Sequence, residues 1–360
     1  SKRTGRKLLE AVELAGMEAD FHNADLDKND RVAIEKAFRE TGLRVIIATS
    51  TLAWGLNLPA RRVCIVGVHR GLQEVEWYDI GQMKGRAGRV GLDDAGDVHI
   101  IVPSKHTAQH IARIETPMPI TSRLLDYVGE GSRKHYKTLA FHLVSEIHHG
   151  EIRTIEDIHE WYEKSLACYQ ARDLDDMIID NTVESLLRAG VIKKDYQSDG
   201  GVYYETTAVG TISSMMYYSP YDVADLRRNF QTLFECGLEG NDMAVAMALG
   251  DTDSSRGGIV SNADREEMIA FAARVQRAFG NKYVISKTPE GRRNEAAIKA
   301  GYAYYVLMKD MKQGNIKSLC SAFEHDMDRT KQVLVALDGM GAKWHREIWF
   351  DILGLRIKHG

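Results

Sequence analysis

Along residues 1 to about 120 the apolar positions alternate between two spacings. Residues 7–19 carry Leu8, Ala11, Val12 and Ala15, and residues 30–41 carry Ile34, Ala37 and Phe38, at the intervals of a half-buried helix. Short β-branched runs at 44–49, 62–66 and 97–102 fall between and after them. Apolar strands alternating with helices predict a parallel sheet covered on both faces, an α/β unit that Pro103, Pro117 and Pro119 close.

The pattern then changes. Helical spacing near 133–149, 154–168 and 173–189 leads into two strand-like runs, 191–196 and 202–207, separated by Gln197-Ser198-Asp199-Gly200-Gly201. Helices followed by one hairpin have the shape of a winged helix, or of a small helical domain with an edge hairpin. From Pro220 onward amphipathic segments near 221–236, 241–250, 262–280, 291–313, 315–325, 327–340 and 343–358 predict an all-α bundle. The predicted chain is therefore multidomain: α/β over 1–120, winged helix over 121–218 and a helical bundle over 219–360.

Composition acts mainly by exclusion. With 47 Lys+Arg against 51 Asp+Glu the net charge is −4, which rules out a wholly basic nucleic-acid coat protein. Cys64, Cys168, Cys236 and Cys320 lie far apart with no C-x-x-C pair, which argues against a zinc site or a disulfide framework. The scattered histidines, His148-His149 included, read as surface or helix-end residues, so no metal site of the chain's own is expected. The basic start has no apolar run behind it and no segment reaches the ~20 apolar residues of a membrane span. No membrane partner and a cytoplasmic location are expected.

Candidate chemistry begins at Ala48-Thr49-Ser50-Thr51-Leu52-Ala53-Trp54-Gly55-Leu56-Asn57-Leu58-Pro59-Ala60, directly after a predicted buried strand. Open α/β sheets bind ligands outside the carboxyl ends of their strands. Small hydroxyl residues and a glycine there let backbone amides approach phosphate oxygens. Alone, the stretch reads as a plain strand-to-helix loop. It gains weight from Gln82-Met83-Lys84-Gly85-Arg86-Ala87-Gly88-Arg89, where two arginines three apart, expected on one helical turn, are each preceded by glycine. Such a pair makes a poor helix and a good fork for a triphosphate, because guanidinium groups bind phosphate oxygens bidentately.

These two stretches resemble motifs V and VI of superfamily 2 helicases in the Ski-like branch. Phe21-His22-Asn23-Ala24-Asp25-Leu26, followed by Arg31, Glu35 and Phe38, is similar to that branch's H-H-A-G-L segment and R-x-x-x-E-x-x-F helix, with Asn23 and Asp25 departing from it. Leu355-Arg356-Ile357-Lys358-His359-Gly360 resembles a segment of archaeal Hjm-type DNA repair helicases. The resemblance implies a second RecA-like domain over 1–120, then a winged helix and a helical ratchet domain.

By motif, it also implies site residues. Gln82, Arg86 and Arg89 would face the ATP phosphates as the catalytic set, with Arg86 and Arg89 as arginine fingers. Gly55, Asn57, Gly85 and Gly88 would line the nucleotide side of the cleft. Thr49, Thr51 and Arg70 would touch nucleic acid, Arg70 in the stretch 68–75 where related DNA helicases carry a strand-separating hairpin. That stretch is short here and predicts either a small hairpin turning at Gly71 or none. On the last predicted helix Arg346, Trp349, Leu353 and Arg356 share one face, which suits base stacking or anchoring of the helix. The stripe 282–317, with eight Lys/Arg against three acids, suits a phosphate backbone or a solvated face equally. Tyr302, Tyr304 and Tyr305 read as core, and Tyr196, Tyr203 and Tyr204 as hairpin packing.

The implied cofactors are ATP and Mg2+. The chain carries no G-x-x-x-x-G-K-[ST] loop and no D-E-x-H box, and phosphoryl transfer needs that lysine and a Mg2+-holding acid. It is therefore expected to be the second half of a helicase, beginning just after the first strand of the second RecA-like domain. Alone it should be inactive, and its partners would be the N-terminal RecA-like domain of the same protein and single-stranded or forked DNA. The parent would translocate 3′ to 5′ and act at stalled forks. The rivals are an RNA helicase of the same branch and a non-catalytic nucleic-acid-binding module without the phosphate-loop domain.

Overall fold

The computed structural model describes residues 2–23, 26, 28–40, 42–49, 52, 58, 60–70, 73–89, 91, 93–102, 104, 111, 120–127, 135–198, 200–256, 265–279, 289–309, 330, 332–337 and 339. The chain divides into two compact units, Ser1–Ile120 and Thr121–Gly360.

The first unit holds α1 (Lys2–Leu14), β1 (Ala19–His22), α2 (Lys28–Arg39), β2 (Val45–Ala48), β3 (Arg62–Val66), β4 (His69–Arg70), β5 (Gln73–Glu74), α3 (Trp77–Lys84) and β6 (Asp97–Ile101). α1 ends earlier than the apolar spacing predicts because Gly16 takes a left-handed φ of 75°. Its N–H bonds the Glu13 carbonyl and the Met17 N–H bonds that of Val12, which closes the helix with a Schellman turn. The chain is thereby released into β1, a strand that the pattern reading missed. β1 and β2 pair in parallel from Ala19↔Val45 to His22↔Ala48, and α2 supplies the crossover that parallel pairing requires. Phe21 and Ile34 are buried, and a Cβ at Gly5 would stand 2.5 Å from the Phe21 ring, so α1 lies directly on β1.

β3 and β6 form a second parallel pair, in register from Arg62↔Asp97 to Val66↔Ile101. Among the described residues the strands make these two separate pairs rather than one continuous sheet. Ile65, Val68 and Ile80 are buried with Val63, Trp77, Val98 and Ile100 packed around them, which seats α3 on one face. On the other face Val66 and Ile101 are about half exposed, at 47% and 55%. The expected cover on both faces is therefore not met among the described residues. β4 and β5 are antiparallel, with Arg70 opposite Gln73, so the short-hairpin alternative holds; Gly71 lies outside the described residues.

The second unit begins with α4 (Lys137–His149), α5 (Ile155–Glu163), α6 (Leu166–Tyr169) and α7 (Asp176–Arg188). A hairpin of β7 (Ile192–Tyr196) and β8 (Val202–Thr206) follows, then α8 (Ala208–Met216), α9 (Pro220–Glu235), α10 (Asp242–Gly250), α11 (Asp253–Arg256), α12 (Arg265–Phe279) and α13 (Pro289–Met308). Polar caps fix the starts: Thr154 closes a capping box with Asp157, Asp175 accepts from Ile178, and Ser219 precedes Pro220 at the first helical position. α8 is a helix that the sequence reading did not expect. It is tied to the hairpin by Gly210, where a Cβ would meet the Val191 carbonyl at 2.4 Å.

The larger of two hydrophobic clusters among the described residues of this unit includes Leu139, Leu143, Ile179, Leu186, Ile212, Leu226, Phe230, Val306 and Leu334. Tyr304 is buried in it, and Tyr302 and Tyr305 each stand 5.5 Å from the Phe271 ring, which makes these tyrosines packing residues. On the hairpin Tyr204 is buried while Tyr196 is exposed.

Two predictions follow from this packing. A Cβ on Gly250 would stand 2.2 Å from the Gly301 backbone nitrogen, so α10 and α13 touch backbone to backbone. Gly250→Val should destabilise the chain by about 1–3 kcal/mol, read as a lower urea midpoint with unchanged slope. The second concerns Asp222, buried on α9, which accepts from the Ser254 N–H at 2.8 Å and hydroxyl at 2.6 Å. Burial raises its pKa, and the Ser254 hydrogen bonds only partly offset that. A raised carboxyl costs nothing below its unfolded value and costs stability as pH rises past it. Asp222→Asn, which can keep both Ser254 bonds, should gain melting temperature relative to wild type between pH 3.5 and pH 7. A gap that shrinks over that range would contradict the burial cost.

Candidate functional site

The two motif-bearing stretches of the first unit meet through the backbone. α3 ends at Lys84, where Gly85 caps it with its N–H on the Gly81 carbonyl at 2.9 Å. Arg86 and Arg89 therefore do not share a helical turn, as the sequence suggested; both lie beyond the helix. The reason is that Ala87 bridges in parallel to Ala60: the Ala60 N–H bonds the Arg86 carbonyl at 2.9 Å and the Gly88 N–H bonds the Ala60 carbonyl at 2.8 Å. A helix continuing through 86–88 would not present these groups sideways.

Glycines make this path possible. Gly88 has φ 91°, in the left-handed region. At Gly96 a Cβ would stand 2.4 Å from the carbonyl carbon of Ala87 and from the nitrogen of Gly88, so the segment before β6 presses against this turn. The amides of Gly85 and Gly88 are both spent within the chain, which leaves these glycines a conformational contribution. Gln82 is exposed on the last turn of α3, and Arg86 and Arg89 are half-buried.

Arg89 is held in a fork. Its Nε donates to Asp93 Oδ2 and its Nη2 to Asp93 Oδ1, each at 2.8 Å, and its backbone N–H reaches Oδ2 at 3.0 Å. This hydrogen-bonded arginine holds the Asp93 carboxyl at about 2, and Arg61 adds a smaller favourable field. The depressed value means that the charged pair persists at every pH above the usual carboxylate range and is lost only as pH falls through about 2. Sequence reasoning missed Asp93, although a carboxylate four residues after an arginine was a readable signal.

Of the stretch 48–60 the described residues are Ala48, Thr49, Leu52, Leu58 and Ala60. Thr49 continues the β1–β2 pairing, its N–H on the His22 carbonyl at 3.3 Å, so its amide is already occupied. Thr51, Gly55 and Asn57 lie outside the described residues, as do Asp25, Arg346, Trp349 and Arg356. Arg70 is placed by its backbone in β4. Beside Thr49, buried His22 bonds Glu35 of α2 at 3.0 Å and Asn23 Nδ2 donates to the Phe21 carbonyl. The H-H-A-G-L-like segment and the helix after it are thus joined side chain to side chain. Of the basic stripe, Lys309 is paired with Asp242, while Lys282, Lys287, Lys312 and Lys317 lie outside the described residues. Among the described residues no group of three or more His, Cys, Asp or Glu is placed to hold a metal ion, and no helix is long and apolar enough to cross a membrane.

Comparison with known proteins agrees with the motif reading. Residues 2–91 match the family model of the helicase conserved C-terminal domain. The chain is 29% identical over 246 residues to the ATP-dependent DNA helicase Hel308 of Pyrobaculum calidifontis, covering 65% of this chain and 32% of that protein. It is 31% identical over 230 residues to Hel308 of Caldivirga maquilingensis, covering 61% of this chain and 30% of that protein. Over 147 residues it is 34% identical to an activating signal cointegrator 1 complex subunit 3-like protein of Dictyostelium discoideum, or 39% of this chain and 6% of that one. The chain thus spans about a third of the length of the archaeal relatives, and the resemblance to Hjm-type superfamily 2 helicases is borne out.

The glycine contact at this site is testable. Gly96→Ala should push the 87–88 turn away from Ala60, seen as faster amide hydrogen exchange at Gly88 and Ala60 and a loss of about 1–3 kcal/mol in stability. Unchanged exchange at both amides would show that the turn does not depend on this contact.

Proposed function

We propose that this chain is the C-terminal part of an ATP-dependent DNA helicase, with Ser1–Ile120 as its second RecA-like domain. The observation that carries the reading is the pairing of Ala60 with Arg86 and Gly88, which sets the end of the first motif against the arginine turn of the second. In this reading Arg86, Arg89 and Gln82 meet the β- and γ-phosphates of ATP bound by a phosphate loop in the preceding RecA-like domain. The donor set suits an anion: two guanidinium groups and a carboxamide, with Arg89 already shaped for bidentate bonding. Gly55 and Asn57 are proposed to line the nucleotide side of the cleft. Gly85 and Gly88 are proposed to shape the arginine turn. Mg2+ is assigned to acids of the preceding domain.

Nucleic acid is proposed to run past Thr49, Thr51 and Arg70. Thr49 contributes its hydroxyl, since its amide is occupied by His22. Helices α4, α5 and α7 with the β7–β8 hairpin are proposed as a winged helix over 121–218. The helices over 219–360 are proposed as the ratchet-type domain, with Arg346, Trp349 and Arg356 as its contacts to the strand. Such contacts go to phosphate, sugar and stacked bases, so they move a strand without reading its sequence. Single-stranded or forked DNA is the proposed track, with 3′ to 5′ movement and repair of stalled forks as the setting, following the DNA helicases among the relatives.

The test is steady-state ATP hydrolysis by the full-length protein, with and without single-stranded DNA or RNA. DNA should stimulate turnover, and Arg89→Ala should lower kcat by about 10³-fold, the scale of an arginine finger. Stimulation by RNA alone would transfer the reading to the RNA helicases of the branch. No hydrolysis despite an intact phosphate loop upstream would overturn the motor and leave a nucleic-acid-binding module.

A further inference from the structure

We propose that Asp93 is the positioning residue that aims Arg89 at the nucleotide. The inference rests on the nucleotide-facing role proposed above for Arg89, and it adds a residue outside both motif stretches.

The two members of the pair are unequally exposed. The Asp93 side chain is only 7% exposed while that of Arg89 is 37% exposed, so the carboxylate lies beneath the guanidinium. The Arg62–Asp97 pair nearby is different: 63% and 50% exposed and joined by one hydrogen bond, it is an ordinary surface contact. Asp93 instead accepts three hydrogen bonds from Arg89 and returns its own N–H to the Arg89 carbonyl at 2.9 Å. Backbone and side chain of Arg89 are thereby fixed by one residue.

A guanidinium has five N–H donors. Asp93 takes the Nε one and a single Nη2 one, which leaves the outer edge, with three donors, for another acceptor. An arginine held this way loses little further freedom when it meets a phosphate, and its charge arrives already oriented. Asp93 never touches the nucleotide in this scheme; it acts through Arg89. The opposite possibility, that Asp93 competes with phosphate and holds Arg89 back, predicts the reverse kinetic effect.

The experiment compares full-length wild type with Arg89→Ala, Asp93→Ala, Asp93→Asn and the Arg89→Ala/Asp93→Ala double variant, at saturating single-stranded DNA. Asp93→Ala should lower kcat by about 10- to 100-fold, as a misplaced catalytic group does, with KM for ATP within about threefold. Asp93→Asn, which keeps one acceptor oxygen and the side-chain shape, should fall in between and carries the test if the alanine variant melts early. The double variant should be no slower than Arg89→Ala alone, because a residue acting only through Arg89 has nothing left to position. A double variant slower than Arg89→Ala would overturn the proposal, as would an unchanged or raised kcat in Asp93→Ala alongside an inactive Arg89→Ala. Wild-type hydrolysis by Arg89→Ala would instead sink the nucleotide-facing reading of Arg89 itself.

Discussion

Two backbone hydrogen bonds, from Ala60 to the Arg86 carbonyl and from Gly88 back to Ala60, hold the arginine turn in an extended path that a helix would forbid. Each such bond is worth only about 0.5–1.5 kcal/mol net. Their importance lies in geometry: they end α3 at Lys84, carry Arg86 past its last turn and deliver Arg89 to Asp93. Gly88 and Gly96 are the two positions at which a side chain would prevent this, one by its left-handed φ and the other by its 2.4 Å approach to the turn. The arginine turn of the first unit is thus specified by backbone access as much as by its charged side chains.

The second unit is held together differently. Its hydrophobic core passes from the helices before the hairpin to those after it, while left-handed glycines at 150, 190 and 237 end three of its helices. Close approach recurs where Gly250 and Gly301 let α10 and α13 touch, and where Gly210 meets the Val191 carbonyl. Two polar side chains of α9 are answered from α10 and α11 and the residue between them: buried Asp222 by Ser254, and half-buried Asn229 by the carbonyls of Ala248 and Asp251. Such satisfied contacts suit a rigid scaffold.

Much of this was legible in the sequence, because strong periodicity survives into structure. The strand runs at 62–66 and 97–102 became β3 and β6, and the hairpin around 197–201 formed where turn residues put it. The motif pair lies in the first unit, where residues 2–91 match the helicase conserved C-terminal domain model. What escaped was set by single residues or by distant contacts. Gly16 ends α1 and frees β1, a stop signal overlooked inside an apolar pattern. The helical turn expected at Arg86 and Arg89 is displaced by Ala60, which lies 26 residues away from Arg86 in sequence. Asp93 does not stand out in sequence because a carboxylate beyond the motif reads as a surface charge, and only the fold buries it under Arg89. The glycines before each arginine looked like room for phosphate, whereas their amides serve the chain.

The most direct test of the account is a crystal structure of the full-length protein with ADP, aluminium fluoride and single-stranded DNA. The account predicts that an Arg89 Nη atom lies within about 3 Å of the fluoride group, with Nε still on Asp93 and Ala60 still paired with Arg86 and Gly88. A structure in which Arg86 and Arg89 both turn away from the nucleotide, with the Ala60 pairing intact, would contradict it.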